Sequence, residues 1–225
     1  MNLHFITSIS KEYWYETAQY CISTWDLPGK VTIYIDQKEG DVEWFNELPF
    51  EKRLLHVPVL EDLNDDLNAN NKVYKFWGKA SAQLHAVYNK QDNERIIWLD
   101  ADMEQIGKIS KDMFTMSFKE PLGMLYSNHH PDCWETGLVI FNQEYKKLKV
   151  VMNKYRDAWN SDTLSSFWKP YDAQVLGYVA EDRGYYNLCT APCKNLDAVK
   201  NSIYGTVFKH WINKENKAQL KNEKR

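Results

Sequence analysis

Residues 95–104 read Arg-Ile-Ile-Trp-Leu-Asp-Ala-Asp-Met-Glu, an apolar run that stops abruptly at two carboxylates. Asp100 and Asp102 form the only Asp-x-Asp in the chain. The pattern is short enough to arise by chance, so its setting at the end of an apolar run is what gives it weight. If the strand stays extended, alternation puts both acids on one side and Ala101 on the other. Two anions so close repel unless a cation lies between them. A hard divalent ion with oxygen ligands, Mn²⁺ or Mg²⁺, meets that need, and such ions commonly also hold substrate phosphates. The alternative is a cap or a salt-bridged loop after the strand. A second group, His129, His130, Asp132 and Cys133 with Cys189 and Cys193, invites a zinc reading. Its Cys-x₃-Cys pair lacks a matching second pair, so the spacing argues against zinc. The segment Asn-His-His-Pro-Asp-Cys-Trp-Glu reads better as a polar, aromatic loop suited to sugar contact.

The elements around these acids must hold them at one place. Residues 3–9 read as a buried strand, and 11–25 as an amphipathic helix with Trp14, Ala18, Cys21, Ile22 and Trp25 at helical spacing. Pro28-Gly29 breaks the helix, and 30–36 follows as a second strand. Residues 42–48 predict a short helix, 53–60 a third strand or edge limited by Pro58, and 61–72 a polar loop. Val73, Phe76, Trp77, Ala80, Leu84 and Val87 mark a longer helix leading into the strand before Asp100. Strands are expected again at 121–127, 136–142 and 184–190, with helices over 144–159 and from about 171. Alternating strands and helices with buried apolar runs mean an α/β domain around a mostly parallel central sheet flanked by helices. In such sheets ligands sit beyond the carboxyl ends of the strands, which is where Asp100 and Asp102 fall.

The totals narrow the function classes. A length of 225 residues without a linker signal predicts one domain. A net charge of −3 argues against a protein coated in nucleic acid. Nine Trp and fourteen Tyr can line a pocket for flat or sugar-like ligands. The N-terminus lacks a basic region followed by a long apolar stretch, and no run approaches a membrane span. Four scattered Cys predict reduced thiols, and together these features predict a cytoplasmic chain.

The Trp-Leu-Asp-Ala-Asp-Met segment, followed by Lys-Ile-Ser-Lys-Asp-Met-Phe, resembles the core of GT-A-fold nucleotide-sugar glycosyltransferases. The nearest likeness is to glycosyltransferase family 8, the group of glycogenin and lipooligosaccharide galactosyltransferases. There the motif holds Mn²⁺, which bridges the diphosphate of a UDP-sugar. The resemblance implies that Thr7, Ser8 and Tyr13 cup the nucleotide base at the end of the first strand. It places Lys79 at the donor phosphates or sugar, and Glu135 and Thr136 at the donor sugar, with Glu135 where the family usually has Asn. Tyr-Asp-Ala-Gln-Val-Leu is similar to the family's Asp-Gln helix start, so Asp172 would bind the donor sugar and Gln174 would lie beside the reacting carbon. Phe-Lys-His-Trp-Ile-Asn-Lys resembles the C-terminal motif whose His is the third metal ligand. His210 takes that role, and Lys214 or Lys217 would touch the diphosphate, although the family's Gly and Pro-Trp are missing here. The matches run in family order from residue 3 to about 217. They divide the single domain into a nucleotide-binding half (1–103), a donor-sugar and acceptor half (104–212) and a basic tail (213–225).

Glycosyl transfer from a nucleotide diphosphate makes a leaving group that gathers negative charge, which a divalent ion and lysines stabilise. An inverting enzyme also needs a carboxylate base at the acceptor. A retaining one needs stabilisation of an oxocarbenium-like state, and the resemblance leans toward retention. Each residue also has a structural reading: Lys79 as a solvated helix residue, Glu135 in a strand-end ion pair, Asp172 as a helix N-cap, His210 packed beside Trp211. The expected function is a metal-dependent glycosyltransferase acting from a UDP-sugar on a hydroxyl of a glycan, protein or lipid-linked glycan. The basic tail keeps open a hydroxymethylated base in viral-type DNA as acceptor. A nucleotidyltransferase would want a Gly-rich loop near the N-terminus, and Thr-Ser-Ile-Ser-Lys-Glu-Tyr-Trp-Tyr-Glu has no glycine. The third class is a non-catalytic nucleotide- or sugar-binding module.

Overall fold

Strands that are buried at nearly every position have both faces of their sheet covered. β1 (Asn2–Ile9) and β2 (Lys30–Asp36) are buried except near their ends, and β4 (Glu94–Leu99) is buried throughout. The computed structural model describes residues 1–40, 42–57, 72–126, 134–159, 163–167, 171–181, 184–190 and 198–211. Within them a seven-stranded sheet has the order β3-β2-β1-β4-β7-β6-β8, with β3 Glu51–Leu55, β6 Leu122–Tyr126, β7 Trp134–Phe141 and β8 Tyr186–Asn187. β7 alone runs against its neighbours β4 and β6; the remaining strands share one direction. The expected mostly parallel α/β sheet is the one observed.

Two helical layers cover it. On one face a helical run, α1 (residues 11–23), packs Trp14, Ala18 and Ile22 against Phe5, Ile33 and Leu99. Its middle, Trp14–Ala18, is a π-helical turn. On the other face α2 (Lys72–Tyr88), α3 (Leu148–Trp159) and α4 (Asp172–Glu181) pack on Ile6, Ile96, Trp98 and Val139. Among the described residues no helix is long and apolar enough to cross a membrane.

Several local expectations are corrected. Residues 42–48 yield only a 3-10 turn, Glu43–Phe45, since so short a segment cannot offset the cost of nucleating a helix. The third strand is Glu51–Leu55 rather than 53–60, and the last is reduced to Tyr186–Asn187. The helix expected from 144 starts at Leu148, because the Asn142 carboxamide accepts from the Glu144 amide and forms a turn first. The acids after β4 are not on an extended strand: Met103 N donates to Asp100 O at 3.0 Å and closes a turn. A two-stranded antiparallel ladder that periodicity did not indicate, β5 (Met103–Gln105) with β9 (Phe208–His210), follows that turn. The loop expected over 61–72 lies outside the described residues except for Lys72, which begins α2.

Candidate active site

The β5–β9 ladder pairs Met103 with His210, so it carries His210 across to the acids at the end of β4. His210 Nε2 stands 3.1 Å from Asp102 Oδ1 and 3.8 Å from Asp100 Oδ2. One ligand atom from each of Asp100, Asp102 and His210 falls within 4.8 Å of the others. Two carboxylate oxygens and an imidazole nitrogen are a donor set that suits a divalent ion such as Mn²⁺. The three side chains fit a cation both in spacing and in charge. Burial works against a charged His210, but Asp102 above all, with Glu135 and Asp100, raises its pKa to about 9. These carboxylates draw a proton onto the imidazole where a cation would otherwise serve.

Lys79, on α2 and only 8% exposed, is the hub of the site. Its Nζ donates to Asp100 Oδ1 at 2.7 Å, Thr136 O at 3.0 Å and Thr136 Oγ1 at 3.2 Å, and meets Asp172 Oδ2 at 2.8 Å. Burial opposes its charge; Asp100 and Asp172 outweigh burial and hold the pKa above its ordinary value. Asp172 opens α4, where the helix dipole favours an anion, and its Oδ2 also accepts from the Thr136 hydroxyl at 2.5 Å. Asp100 is further held by Trp98, whose indole Nε1 donates to Oδ1 at 2.7 Å. Its carboxyl is pushed up by burial, with Lys79 pulling the other way and Asp102 and Asp172 adding to the rise.

β7 enters the site from the opposite direction. Gly137 O accepts from Asp100 N at 2.8 Å, which sets Glu135 and Thr136 beside the acids. Glu135 Oε1 accepts from Gly137 N at 2.9 Å and lies 3.9 Å from His210 Nδ1. Burial raises its pKa to about 6 against the pull of His210. A carboxyl with that pKa can hold or release a proton near neutral pH. Gly137 is required by the imidazole: a Cβ there would lie 2.6 Å from His210 Cε1.

The remaining sequence candidates distribute as follows. Thr7 is buried near the end of β1 with no hydrogen-bond partner for its Oγ1, and Ser8 beside it is half-buried. The Tyr13 hydroxyl is hydrogen-bonded to Asp102, and burial with that carboxylate pushes its pKa well up. Gln174 is half-buried in the first turn of α4, its Oε1 without a hydrogen-bond partner. Lys214 and Lys217 lie outside the described residues, as do His129, His130, Asp132, Cys133 and Cys193. Of the zinc candidates only Cys189 is described, and its thiol sits 3.7 Å from Ala198 O. Among the described residues, Asp100, Asp102 and His210 are the group of His, Cys, Asp and Glu side chains spaced so that they could hold a metal ion. Sequence reasoning missed Trp98 and Gly137. A glycine inside an apolar strand does signal close approach by another group, so Gly137 carried a readable sign. The partner that needed the space did not.

No family model and no curated protein sequence matches the chain. Solved structures do. The glycosyltransferase GlyE of Streptococcus pneumoniae TIGR4 superposes with a TM-score of 0.52 at 12% identity, over 83% of this chain and 46% of that one. Its apo form gives 0.51 at 12%, over 83% and 44%. The chain thus spans just under half of the GlyE chains. Galactosyltransferase LgtC, solved with donor and acceptor sugar analogs, gives 0.57 at 11% identity over 98% of this chain and 95% of that one. At such identity the likeness speaks to fold, and the fold is the mostly parallel α/β architecture of GT-A glycosyltransferases.

Proposed function

We propose that the protein is a metal-dependent glycosyltransferase that moves a sugar from a nucleotide-diphosphate donor, a UDP-sugar, to a hydroxyl of a glycan, protein or lipid-linked glycan. The observation that carries this reading is the meeting of Asp100, Asp102 and His210 at the carboxyl ends of a parallel sheet, with Lys79, Glu135 and Asp172 beside them. Four carboxylates, Asp100 and Asp172 paired with Lys79 and Asp102 and Glu135 facing His210, outnumber the two cationic groups among them, and a divalent ion would relieve that surplus of negative charge. A nucleotide diphosphate would complete such an ion's ligand shell. Solved neighbours with the same fold, one holding donor and acceptor sugar analogs, support the choice of glycosyl transfer over other diphosphate chemistry.

Asp100, Asp102 and His210 would hold Mn²⁺ or Mg²⁺. When bound, the ion supplies positive charge to the diphosphate as the glycosidic bond breaks. Lys79 fixes Asp100 and Asp172 in place and adds fixed positive charge in a buried setting, where it needs no reorganisation during reaction. Asp172 spends Oδ2 on Lys79 and Thr136, which leaves Oδ1 as the oxygen for a sugar hydroxyl. The acceptor oxygen forms its bond to the anomeric carbon as the bond to the diphosphate oxygen breaks, and its proton passes to the departing phosphate. With retention as the outcome, an ionised Glu135 would stabilise the oxocarbenium-like state.

The test is release of UDP from a panel of UDP-hexoses, with Mn²⁺ or with EDTA, by the wild type and by Asp102→Asn. Release should require the ion and fall at least about a hundredfold in the variant. Release that persists unchanged in EDTA, or in the variant, overturns the reading.

A further inference from the structure

The three candidate metal ligands come from two distant parts of the chain, and the ladder that joins them spans three residue pairs. So short a two-stranded ladder does not hold its own register in water. Something else must fix His210 against Asp102.

Glu104 stands where it can do so. Its Oε2 accepts from the Trp211 indole Nε1 at 2.9 Å, and its Oε1 accepts from the Tyr20 hydroxyl at 2.5 Å. Trp211 follows His210 directly, and Glu104 lies two residues after Asp102. The Trp211 amide also donates to the Asp102 carbonyl at 3.1 Å. Each member of the Asp102–His210 pair therefore has a near neighbour in the same carboxylate-centred clamp. Trp211 is 2% exposed and packs with Cys21 and Tyr20, while Lys209 Nζ lies 3.6 Å from its ring centroid. A ring so enclosed cannot turn without moving the backbone at 210–211.

The Asp102 side of the clamp is anchored as well. Trp25 Nε1 donates to Met103 O at 2.6 Å, and Gln105 N donates to Thr24 Oγ1 at 2.8 Å. Residues 103–105 are thus bound to the end of α1 and the turn after it. Glu104 carries that anchorage across to β9.

We propose that Glu104 is a positioning residue, which through Trp211 sets the separation of Asp102 and His210 and thereby the affinity of the site for a divalent cation. The proposal rests on the divalent-ion reading given above. Removing the carboxylate leaves the buried indole N–H without its acceptor and frees Trp211 to rotate, carrying His210 off the line to Asp102. Residues that orient metal ligands in this way typically govern affinity by ten- to a hundredfold.

The experiment measures Mn²⁺ binding by calorimetry to the wild type, E104A, E104Q and W211F, with the melting temperature of each metal-free protein recorded alongside. E104A is expected to weaken the Mn²⁺ Kd by about ten- to a hundredfold, and W211F, which keeps a ring but loses the N–H, by about tenfold. E104Q retains an acceptor oxygen and is expected to restore most of the affinity. E104A combined with W211F should be no worse than E104A alone, because both remove one coupled contact. If E104A does not fold, W211F decides the matter. Wild-type affinity in both E104A and W211F, whatever their melting temperatures, overturns the proposal and leaves Glu104 a stabilising residue only. Absence of Mn²⁺ binding by the wild type overturns the divalent-ion reading, and the proposal with it.

Discussion

Two histidines, each 6% exposed, lie at opposite ends of the fold, and they behave in opposite ways. His4, near the start of β1, places Nε2 2.8 Å from Thr32 Oγ1 and Nδ1 3.1 Å from Glu94 Oε1. Burial lowers its pKa, and Glu94 offsets this only in part. His210 is buried as deeply but faces Asp102, Asp100 and Glu135, and its pKa rises to about 9. Burial alone cannot account for that difference. At the site end four carboxylates meet Lys79 and His210, whereas at the other end His4 meets one carboxylate, Glu94, and a hydroxyl, with the Lys30–Glu51 ion pair nearby. A surplus of buried negative charge is costly to a fold unless a cation relieves it. The contrast is the one expected if the divalent ion proposed above relieves the site end, while the His4 end needs none.

The contrast can be broken most directly at Lys79. Lys79→Met strands Asp100 and Asp172 without their cation and should destabilise the metal-free protein by about 3–5 kcal/mol. Glu94→Gln at the opposite end leaves His4 a neutral partner and should cost about 1 kcal/mol. Urea unfolding midpoints in EDTA compare them, and equal losses would erase the distinction.

A smaller effect is expected from pH. The folded pKa of His210 lies above its unfolded value, so its contribution is complete below about pH 6.5 and is lost as pH rises through about 9. In the metal-free protein this limb should amount to at most about 3 kcal/mol. The pKa of His4 is lowered, so its limb has the opposite sign: stability falls as pH drops below about 6.5 toward the folded value. Melting curves in EDTA from pH 5 to about 10 should show both limbs. His210→Asn should remove the alkaline limb alone, and His4→Asn the acid limb alone. Loss of both limbs in either variant would mean that the two ends are not independent.

The smallest effect sharpens the contrast. Gly137→Ala places a methyl group where the His210 ring now lies, and should weaken Mn²⁺ binding on the order of tenfold. The acid limb of the stability profile should be untouched. Calorimetric titration checks the first, and the same melting curves check the second.

Legibility followed the range of the physics. β1, β2 and β4 each carry a cluster of large apolar residues (Phe5 and Ile6, Ile33 to Ile35, Ile96 to Leu99), so each shows itself within a few residues. The acid pair was visible because Asp100 and Asp102 interrupt such a run. The reversed direction of β7 was not visible, since alternation reads the same from either end. β5 and β9 are too short to carry a period, and they deliver His210 to the acids. Trp98 looked like a core residue and is one, but its indole N–H also holds Asp100. Glu104 was only the end of an acidic stretch until Tyr20 and Trp211 closed on it.

What the chain determined by itself is the order of the main strands and helices, and with it the α/β class and the strand end at which the acid pair falls. Burial of an amphipathic or apolar segment is encoded by near neighbours, which a sequence displays openly. Whether the acids at that place are paired, surplus or aimed at a cation was decided only in three dimensions. Charge balance depends on distances between Lys79, Asp100, Asp102, Glu135, Asp172 and His210, residues that no local pattern connects. Coulombic interaction acts through space and not along the chain, so the surplus at this site exists only once the sheet and the β5–β9 ladder have formed.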